Sequence, residues 1–310
     1  MTQQDVIAGI DVSKDRLDVC LWPTGETMAF ANDPAGCARL ARRLAGRAVT
    51  AVALEASGGY EREAMAALRA AGLRLHRLNA LRVRRFAQGC GVMAKTDRID
   101  AAVIARYLAA VPQRAAIDEP AAEAVAELVT ARRQLVEEMT RCTNQAAQSR
   151  QAVLQRLARR RIARIKADIL ALDQAIATAV EADADMARKS RLMRSVPGVG
   201  PVLTHSLLAL MPELGRLSGR QAAALVGVAP FACESGRYKG QRRISGGRKP
   251  LRDTAYMAAL VAARHNPVMA AFKQRLVDAG KPPKLIIVAI IRKLVVALNA
   301  IIRDEQPWKA

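Results

Sequence analysis

Short apolar runs and longer amphipathic stretches alternate along the first hundred residues. Residues 6–12 form a short apolar run, and residues 16–22 alternate apolar with polar side chains, so both are predicted strands. A Pro-Thr-Gly turn then precedes a third predicted strand at residues 27–31. After it, we predict a helix at 34–45, a strand at 49–54, a helix at 61–71, a strand at 73–78 and a last helix that begins near Thr96.

The next region has the pattern of helix throughout, from residue 119 to residue 187. Its apolar residues follow steps of three and four, which is typical of a coiled-coil seam. The seam positions are Leu128, Leu135, Met139, Cys142, Ala146, Ser149, Val153, Ile162, Ile165, Ile169, Leu172 and Ile176. Beside this seam, Arg159, Arg160 and Arg161 lie in a basic stretch without acids, for which contact with phosphate is favoured over a merely solvated face.

A third region begins at the sequence Ser195-Val-Pro-Gly-Val-Gly-Pro201, which precedes an apolar helix. A Pro-Gly-x-Gly turn between helices is typical of a helix-hairpin-helix element, although a plain turn fits the pattern equally well. The rest is mostly helix, interrupted by a loop at 229–250 that is rich in Gly and Arg. We therefore predict three regions, at 1–112, 113–190 and 191–310.

The charge balance indicates a polyanionic partner. Lys and Arg number 49 against 28 acids, a formal net charge of +21, and such a surface attracts phosphate backbones. The apolar fraction of 51% suffices for a packed core. The polar N-terminus does not resemble a signal peptide, and the run at 285–291 is too short to span a bilayer. We expect no membrane partner and a cytoplasmic, nucleoid-associated protein.

Four carboxylates occupy positions from which they can converge. Asp11 and Glu55 end predicted strands, and Asp97 and Asp100 are three residues apart on a predicted helix. Three early strands followed by strand–helix alternation is the order of an RNase H-like fold, in which the first and fourth strands are neighbours. Four hard oxygen ligands there suit Mg²⁺. The alternative is that these acids only stabilise a helix N-terminus and a strand end.

The Gly- and Arg-rich loop contains a candidate nucleophile, Ser235. Residues 236–250 include six basic side chains and no acid, and a serine in such a loop can approach DNA closely. Alternatively the loop only binds the DNA backbone, with Ser235 as a turn residue, or the nearby Ser245 is the serine that attacks. The loop cations that we assign to nucleic-acid binding are Arg237, Lys239, Arg242, Arg243 and Arg248.

A second group of candidate backbone contacts lies in the first region, at Arg82, Arg84 and Arg85. The alternative for these three arginines is a solvated helix face. Aromatic residues make up only 3% of the chain, so base stacking is a minor term.

Several motifs closely resemble those of insertion-sequence family 110, the DEDD transposases related to the Piv DNA invertases. In the first half these are Gly9-Ile-Asp-Val-Ser-Lys14, Glu55-Ala-Ser-Gly-Gly-Tyr60 and Lys95-Thr-Asp-Arg-Ile-Asp-Ala101. In the second half they are Pro197-Gly-Val-Gly-Pro201, Ala222-Ala-Ala-Leu-Val-Gly-Val-Ala-Pro230, Ser235-Gly236, Ile244-Ser-Gly-Gly-Arg248, Arg292-Lys-Leu294 and Leu298-Asn299. The resemblance spans nearly the whole chain.

The resemblance implies a RuvC-like N-terminal domain with metal ligands at Asp11, Glu55, Asp97 and Asp100, followed by coiled-coil helices. It also implies a helical transposase domain with the nucleophile at Ser235 and a phosphoserine intermediate. It further implies a noncoding bridge RNA that pairs with donor and target DNA, and homodimers that assemble into a tetramer. A DNA invertase of the same type, and a metal-dependent junction nuclease that uses only the carboxylates, remain as alternatives.

Overall fold

A computed structural model describes residues 5–55, 57–92, 97–111, 120–232, 234–235 and 238–309. The chain divides into two compact units at the boundary between residues 117 and 118. The predicted regions 113–190 and 191–310 therefore fall almost entirely within the second unit.

The first unit contains a five-stranded sheet with helices on both faces. Its elements are β1 (Val6–Val12), β2 (Arg16–Trp22), β3 (Thr27–Ala31), α1 (Pro34–Ala45), β4 (Val49–Glu55), α2 (Arg62–Ala70), β5 (Leu75–Leu78), α3 (Ala80–Gly89) and α4 (Asp97–Ala110). The strand order is β3-β2-β1-β4-β5; β1 to β3 are antiparallel, and β4 and β5 run parallel to β1 and β4. This is the RNase H-like topology, as the sequence predicts.

Alternate residues of the sheet face two different cores. Ile10 and Leu54 belong to the core with α1 and α2, whereas Ile7 and Ala53 belong to the core with α3 and α4. Because side chains alternate along a strand, Asp11 lies on the α4 face of the sheet, as does Glu55.

Helix α4 packs directly on the backbone of β1 at Gly9. A Cβ added to Gly9 would lie 2.3 Å from the carbonyl oxygen of Ala101 and 2.4 Å from the amide nitrogen of Ala105. Both of these atoms belong to the backbone, so neither can move without moving the helix. Only glycine therefore permits this approach of helix and strand.

The second unit is almost entirely helical. Its elements are α5 (Pro120–Gln148), α6 (Ala152–Ala182), α7 (Ala184–Arg194), α8 (Pro201–Leu210), α9 (Gly219–Val226), β6 (Pro230–Phe231), β7 (Glu234–Ser235), β8 (Tyr238–Lys239), β9 (Arg243–Ile244), α10 (Lys249–His265), α11 (Pro267–Asp278) and α12 (Pro283–Asp304). The prediction of helix throughout 119–187 is wrong at 149–151, where the chain leaves α5 and enters α6, and at Asp183, which is the N-cap residue of α7.

Helices α5 and α6 form an antiparallel hairpin. Arg132 donates to Asp173, and Arg161 donates to Glu138 at 2.7 Å, so earlier residues of α5 face later residues of α6. The two predicted seam sets are thus packed against each other within the chain. Cys142 and the later seam residue Ile165 are buried, while several neighbouring seam positions are half-buried.

The turn between α7 and α8 packs closely against α10. Gly198 has φ +94°, and a Cβ there would lie 2.5 Å from Cα of Ala262. The Pro-Gly-Val-Gly sequence thus forms the turn that connects α7 to α8, with Gly200 as the N-cap residue of α8.

Helix α12 is the central apolar helix of this unit. By length and composition it is the one helix of the described part that is long and apolar enough to cross a membrane. Half of its most apolar 18-residue stretch is buried inside the unit. Its buried Asn299 accepts from the amide of Gly215 at 2.9 Å and donates to the carbonyl of Leu217 at 2.7 Å. The helix therefore organises the loop between α8 and α9.

Gly9→Ala is expected to destabilise the first unit by about 3 kcal/mol or more, because the new methyl group meets backbone atoms that cannot rearrange locally. Thermal or urea unfolding measures this loss. Gly89→Ala is the matched control, since a Cβ at Gly89 meets nothing within 4 Å. Equal stability of the two variants would contradict the close contact between α4 and β1.

Candidate functional site

Asp11 and Glu55 lie next to each other at one edge of the sheet. Strands β1 and β4 are parallel and pair Ile10 with Leu54, so the following residues, Asp11 and Glu55, are neighbours. Both are half-buried and point to the α4 face. Parallel strands therefore bring two carboxylates together, as the sequence predicts.

The first turn of α4 lies at the same end of β1. Arg106 packs over the Trp22 ring at 5.8 Å, and Trp22 is opposite Ile7 at the start of β1. The later part of α4 is therefore near the start of β1, and its first turn is near the end that carries Asp11. That turn includes Asp97 and the half-buried Asp100.

The backbone thus brings the four predicted carboxylate positions to one end of one sheet face. The side chain of Asp97 is outside the described part of the chain. Within that part, no three His, Cys, Asp or Glu side chains form a group that could hold a metal ion. The donor set nevertheless suits a hard divalent cation, because all four candidate ligands are carboxylates.

A fifth carboxylate, Asp18, extends this row and was missed by the sequence analysis. Asp18 on β2 pairs directly with Asp11, so the two side chains lie on the same face. Like charges in this position repel each other, and Arg16 offsets the repulsion through hydrogen bonds of 2.8 and 2.9 Å to Asp18. The available signal was one acidic residue inside an otherwise apolar strand, but its significance depends on the strand register.

The loops that follow β1 and β4 are fixed to each other. Asn32 donates through Nδ2 to the carbonyl of Ser13, two residues after Asp11, at 2.8 Å, and to the carbonyl of Tyr60 at 3.0 Å. A single amide group therefore holds both loops that flank the carboxylate edge.

The loop after Glu55 is organised by the buried carboxylate of Glu61. It accepts from the backbone amide and the hydroxyl of Ser57, both at 3.1 Å, and from the amide of Gly59 at 2.9 Å. Burial alone raises the pKa of Glu61, but the backbone and hydroxyl donors together outweigh it and hold the pKa below its ordinary value.

Two glycines form the base of the loop that carries Ser235. Gly227 and Gly247 both have left-handed φ, at +81° and +72°, and a Cβ on Gly247 would lie 2.2 Å from the amide nitrogen of Gly227. Arg252 of α10 donates a hydrogen bond to the carbonyl of Gly246, the residue before Gly247, at 2.7 Å. The two glycine-containing motifs of the second half therefore meet in space.

Arg248 also belongs to this base. Its guanidinium donates to both carboxylate oxygens of Glu213, at 2.6 and 2.8 Å, and to the carbonyl of Leu210 at 2.7 Å. We assigned Arg248 to nucleic-acid binding, and the structure shows that its side chain is occupied in joining the loop to the end of α8.

Ser235 is the last residue of β7 and pairs with Tyr238 of β8. The described part of the chain does not include the side chains of Ser235 and Lys239. It also leaves out residues 236–237, which contain the predicted contact Arg237. Arg242 and Arg243 are exposed. The carboxylates and Ser235 belong to different units of the chain.

The other predicted nucleic-acid contacts lie on two helices. On α3, Arg82 and Arg85 are exposed and Arg84 is half-buried. On α6, Arg159 and Arg160 are exposed, whereas the exposed Arg161 is ion-paired with Glu138.

Glu61→Gln is expected to cost about 1–3 kcal/mol of unfolding free energy, because hydrogen bonds to a buried carboxylate become weaker or unmatched. The pKa of Glu61 is lowered on folding, so its contribution is complete above the unfolded value of about 4.3 and is lost as pH falls through the folded value. Urea unfolding at several pH values measures the difference from the wild type. The difference should be constant near neutral pH and should shrink progressively as pH falls below the unfolded value of about 4.3. Exposed Glu63→Gln is the control; a comparable loss there would contradict the role of Glu61.

Two sequence families match the chain, one in each half. Residues 8–158 match the IS110 DEDD transposase family, and residues 190–274 match the family described as "Transposase IS116/IS110/IS902 family". The first match contains all four predicted carboxylates, and the second contains Ser235.

Similar curated proteins cover almost the entire chain. The pilin gene-inverting proteins of Moraxella bovis and Moraxella lacunata are each 26% identical over 317 aligned residues, which cover 97% of this chain and 96% of theirs. An uncharacterized 42 kDa protein of insertion element IS900 from Mycobacterium paratuberculosis is 29% identical over 52% of this chain and 42% of its own length.

Among solved structures, Thermus thermophilus RuvC in complex with a Holliday junction substrate aligns with 33% of this chain and 90% of its own. The identity is 16% and the TM-score 0.27, so the assignment of the fold rests on the strand order described above. With an RNase H-like first unit and family matches in both halves, the chain is a DNA-cleaving and recombining enzyme that belongs to the IS110 family of DEDD transposases.

Proposed function

We propose that this protein is the transposase of an insertion sequence and that it exchanges DNA strands through a phosphoserine intermediate. The observation that carries the proposal is the convergence of Asp11, Glu55 and the first turn of α4 at one edge of the sheet. A second support is the Ser235 loop, which begins and ends at a base of two closely packed glycines.

The carboxylate edge is proposed to bind Mg²⁺ through Asp11, Glu55, Asp97 and Asp100. The all-oxygen donor set fits this ion better than zinc. When bound, Mg²⁺ would supply positive charge that stabilises the phosphate and the departing oxygen. The protein's own part is to hold the carboxylates in position, which Asn32 and the Glu61 loop support by fixing the loops after β1 and β4.

Ser235 is the proposed nucleophile. Its Oγ bonds to a DNA phosphorus, the bond from that phosphorus to one DNA oxygen breaks, and this oxygen leaves as a strand-end hydroxyl with the proton that Ser235 loses. A hydroxyl of another strand then attacks the phosphoserine, forms the new phosphodiester and returns a proton to Oγ. Each step exchanges one phosphate ester for another, so no nucleotide hydrolysis is needed.

A noncoding bridge RNA is proposed to choose donor and target DNA by base pairing. The low aromatic content supports this division of labour, since few side chains are available to stack on bases. The exposed arginines of α3 and α6, with Arg242 and Arg243, are proposed to contact RNA or DNA backbones. A nucleoid-associated protein of the bacterial cytoplasm fits this role.

We further propose homodimers that pair into a tetramer, with carboxylates of one subunit and Ser235 of another completing each active site. Large apolar side chains are exposed near the tip of the α5–α6 hairpin, where Val153, Leu154 and Leu157 are each about half exposed. Exposed apolar side chains of this size at one tip support association there.

Site-specific DNA inversion is the second candidate function. It is favoured by the similarity to two pilin gene-inverting proteins over 97% of the chain. Inversion and transposition share the proposed chemistry and differ in the arrangement of the DNA sites. An assay that supplies paired inverted sites on one plasmid and a second plasmid as a target distinguishes the two functions. An invertase reverses the segment between the paired sites, whereas a transposase inserts DNA into the second plasmid.

The proposal is tested by incubating the protein with flanking RNA of the element, Mg²⁺, and matching donor and target DNA. A covalent protein–DNA adduct is then sought on a denaturing gel. Wild type should form the adduct, and Ser235→Ala and Asp11→Ala should reduce it by at least about 100-fold, since each removes a group on which the chemical step depends.

Ser245→Ala is the matched control, because Ser245 is an exposed serine of the same loop and should retain the adduct. DNA cleavage that leaves no adduct and persists in Ser235→Ala would contradict the serine mechanism. That result would favour a carboxylate-only junction nuclease. Omitting the RNA, or replacing Mg²⁺ with EDTA, tests the remaining two parts of the proposal separately.

A further inference from the structure

Helices α11 and α12 form a strongly basic hairpin that the proposed active site does not use. Residues 267–293 contain one acid, Asp278, and six basic residues, which are Lys273, Arg275, Lys281, Lys284, Arg292 and Lys293. All six are exposed except Lys293, which is half-buried. Among described residues, none of the six lies within ion-pair distance of a carboxylate, although many other arginines of this chain form such pairs.

Two of these cations converge on a single aromatic ring. The guanidinium carbon of Arg275 lies 5.2 Å from the centre of the Phe272 ring, and the Lys293 amine lies 4.7 Å from it. The two charges are therefore no farther apart than the sum of these distances, which is close to the screening length of about 8–10 Å in physiological salt. The two cations carry like charge, and each is attracted to the Phe272 ring.

Among the described residues, the one acid of 267–293, Asp278, is not within ion-pair distance of either cation. Asp278 accepts a hydrogen bond from Gln274 at 2.8 Å at the end of α11. The ring positions the two cations from different helices, because α11 supplies Phe272 and Arg275 and α12 supplies Lys293. An arrangement of this kind gains stability when an anion binds between or beside the cations.

We propose that the pair Arg275 and Lys293, held by Phe272, binds the phosphodiester backbone of a nucleic acid. This site is additional to the loop and to the arginines of α3 and α6. The inference depends on the proposed function only for its choice of polyanion, since a recombining enzyme works on DNA and the proposed guide is RNA. The half-buried Phe272 positions the cations and does not stack on bases, so the contact is independent of sequence.

The test measures the affinity of the full-length protein for labelled duplex DNA and for labelled single-stranded RNA over a series of KCl concentrations. Each lost phosphate contact reduces the slope of log affinity against log salt by about 0.9 for duplex DNA and about 0.7 for a single strand. Arg275→Gln with Lys293→Gln should therefore reduce the slope by about 1.8 for DNA or about 1.4 for RNA. A change with one nucleic acid identifies the source, and a change with both shows a shared backbone contact.

Two variants control the measurement. Arg275→Lys with Lys293→Arg keeps both charges and should retain the slope. Arg303→Gln removes a cation of the same helix that is already hydrogen-bonded to Asp304, at 2.7 and 3.0 Å, and should change the slope little. Circular dichroism melting checks folding. If the double variant is unstable, Arg275→Gln alone should reduce the DNA slope by about 0.9.

Unchanged slopes for both nucleic acids in a folded double variant would overturn the proposal. The outcome is distinguishable from failure of the proposed function. A protein that forms no covalent DNA adduct but loses slope in the double variant retains this binding site. A protein that forms the adduct with unaltered slopes lacks it.

Discussion

The contact between Gly9 and helix α4 is the constraint on which the candidate metal centre depends. Backbone atoms of Ala101 and Ala105 occupy the space that any other side chain at position 9 would fill. This contact fixes how far α4 stands from β1, and the first turn of α4 carries two of the four carboxylate positions. A small increase in that distance separates Asp100 from Asp11 and Glu55. The chemistry of the edge therefore depends on a residue that has no side chain.

The carboxylate edge concentrates negative charge on one face of the sheet. Asp18, Asp11 and Glu55 lie in one row across three strands. Arg16 neutralises one end, and Glu61 is satisfied by backbone and hydroxyl donors in the adjoining loop. Asp11 and Glu55, the other two carboxylates of the row, lie on the face of the sheet that α4 covers.

Periodicity predicted the five strands of the first unit and three of its helices, because each strand has a distinct apolar pattern, but it did not predict α3 at Ala80–Gly89. The bounds of β1, β2, β3 and α1 agree with prediction to the residue. The break at 149–151 was missed because Ser149, Arg150 and Gln151 include neither Gly nor Pro, and the seam pattern continues across them. Periodicity contains no information on strand register or on packing between distant segments. It therefore could not predict that Asp18 lies opposite Asp11, that Arg248 binds Glu213, or that Arg275 and Lys293 contact the same ring.

The base of the Ser235 loop and the loop itself differ in how much sequence change they tolerate. The two ends of the loop, after α9 and before α10, meet through the backbones of Gly227 and Gly247, so this contact does not depend on the side chains of the loop between them. Substitutions in the loop outside Ser235 and its cations can therefore accumulate while the fold beneath the loop is maintained. An engineer could vary those positions without disturbing the base.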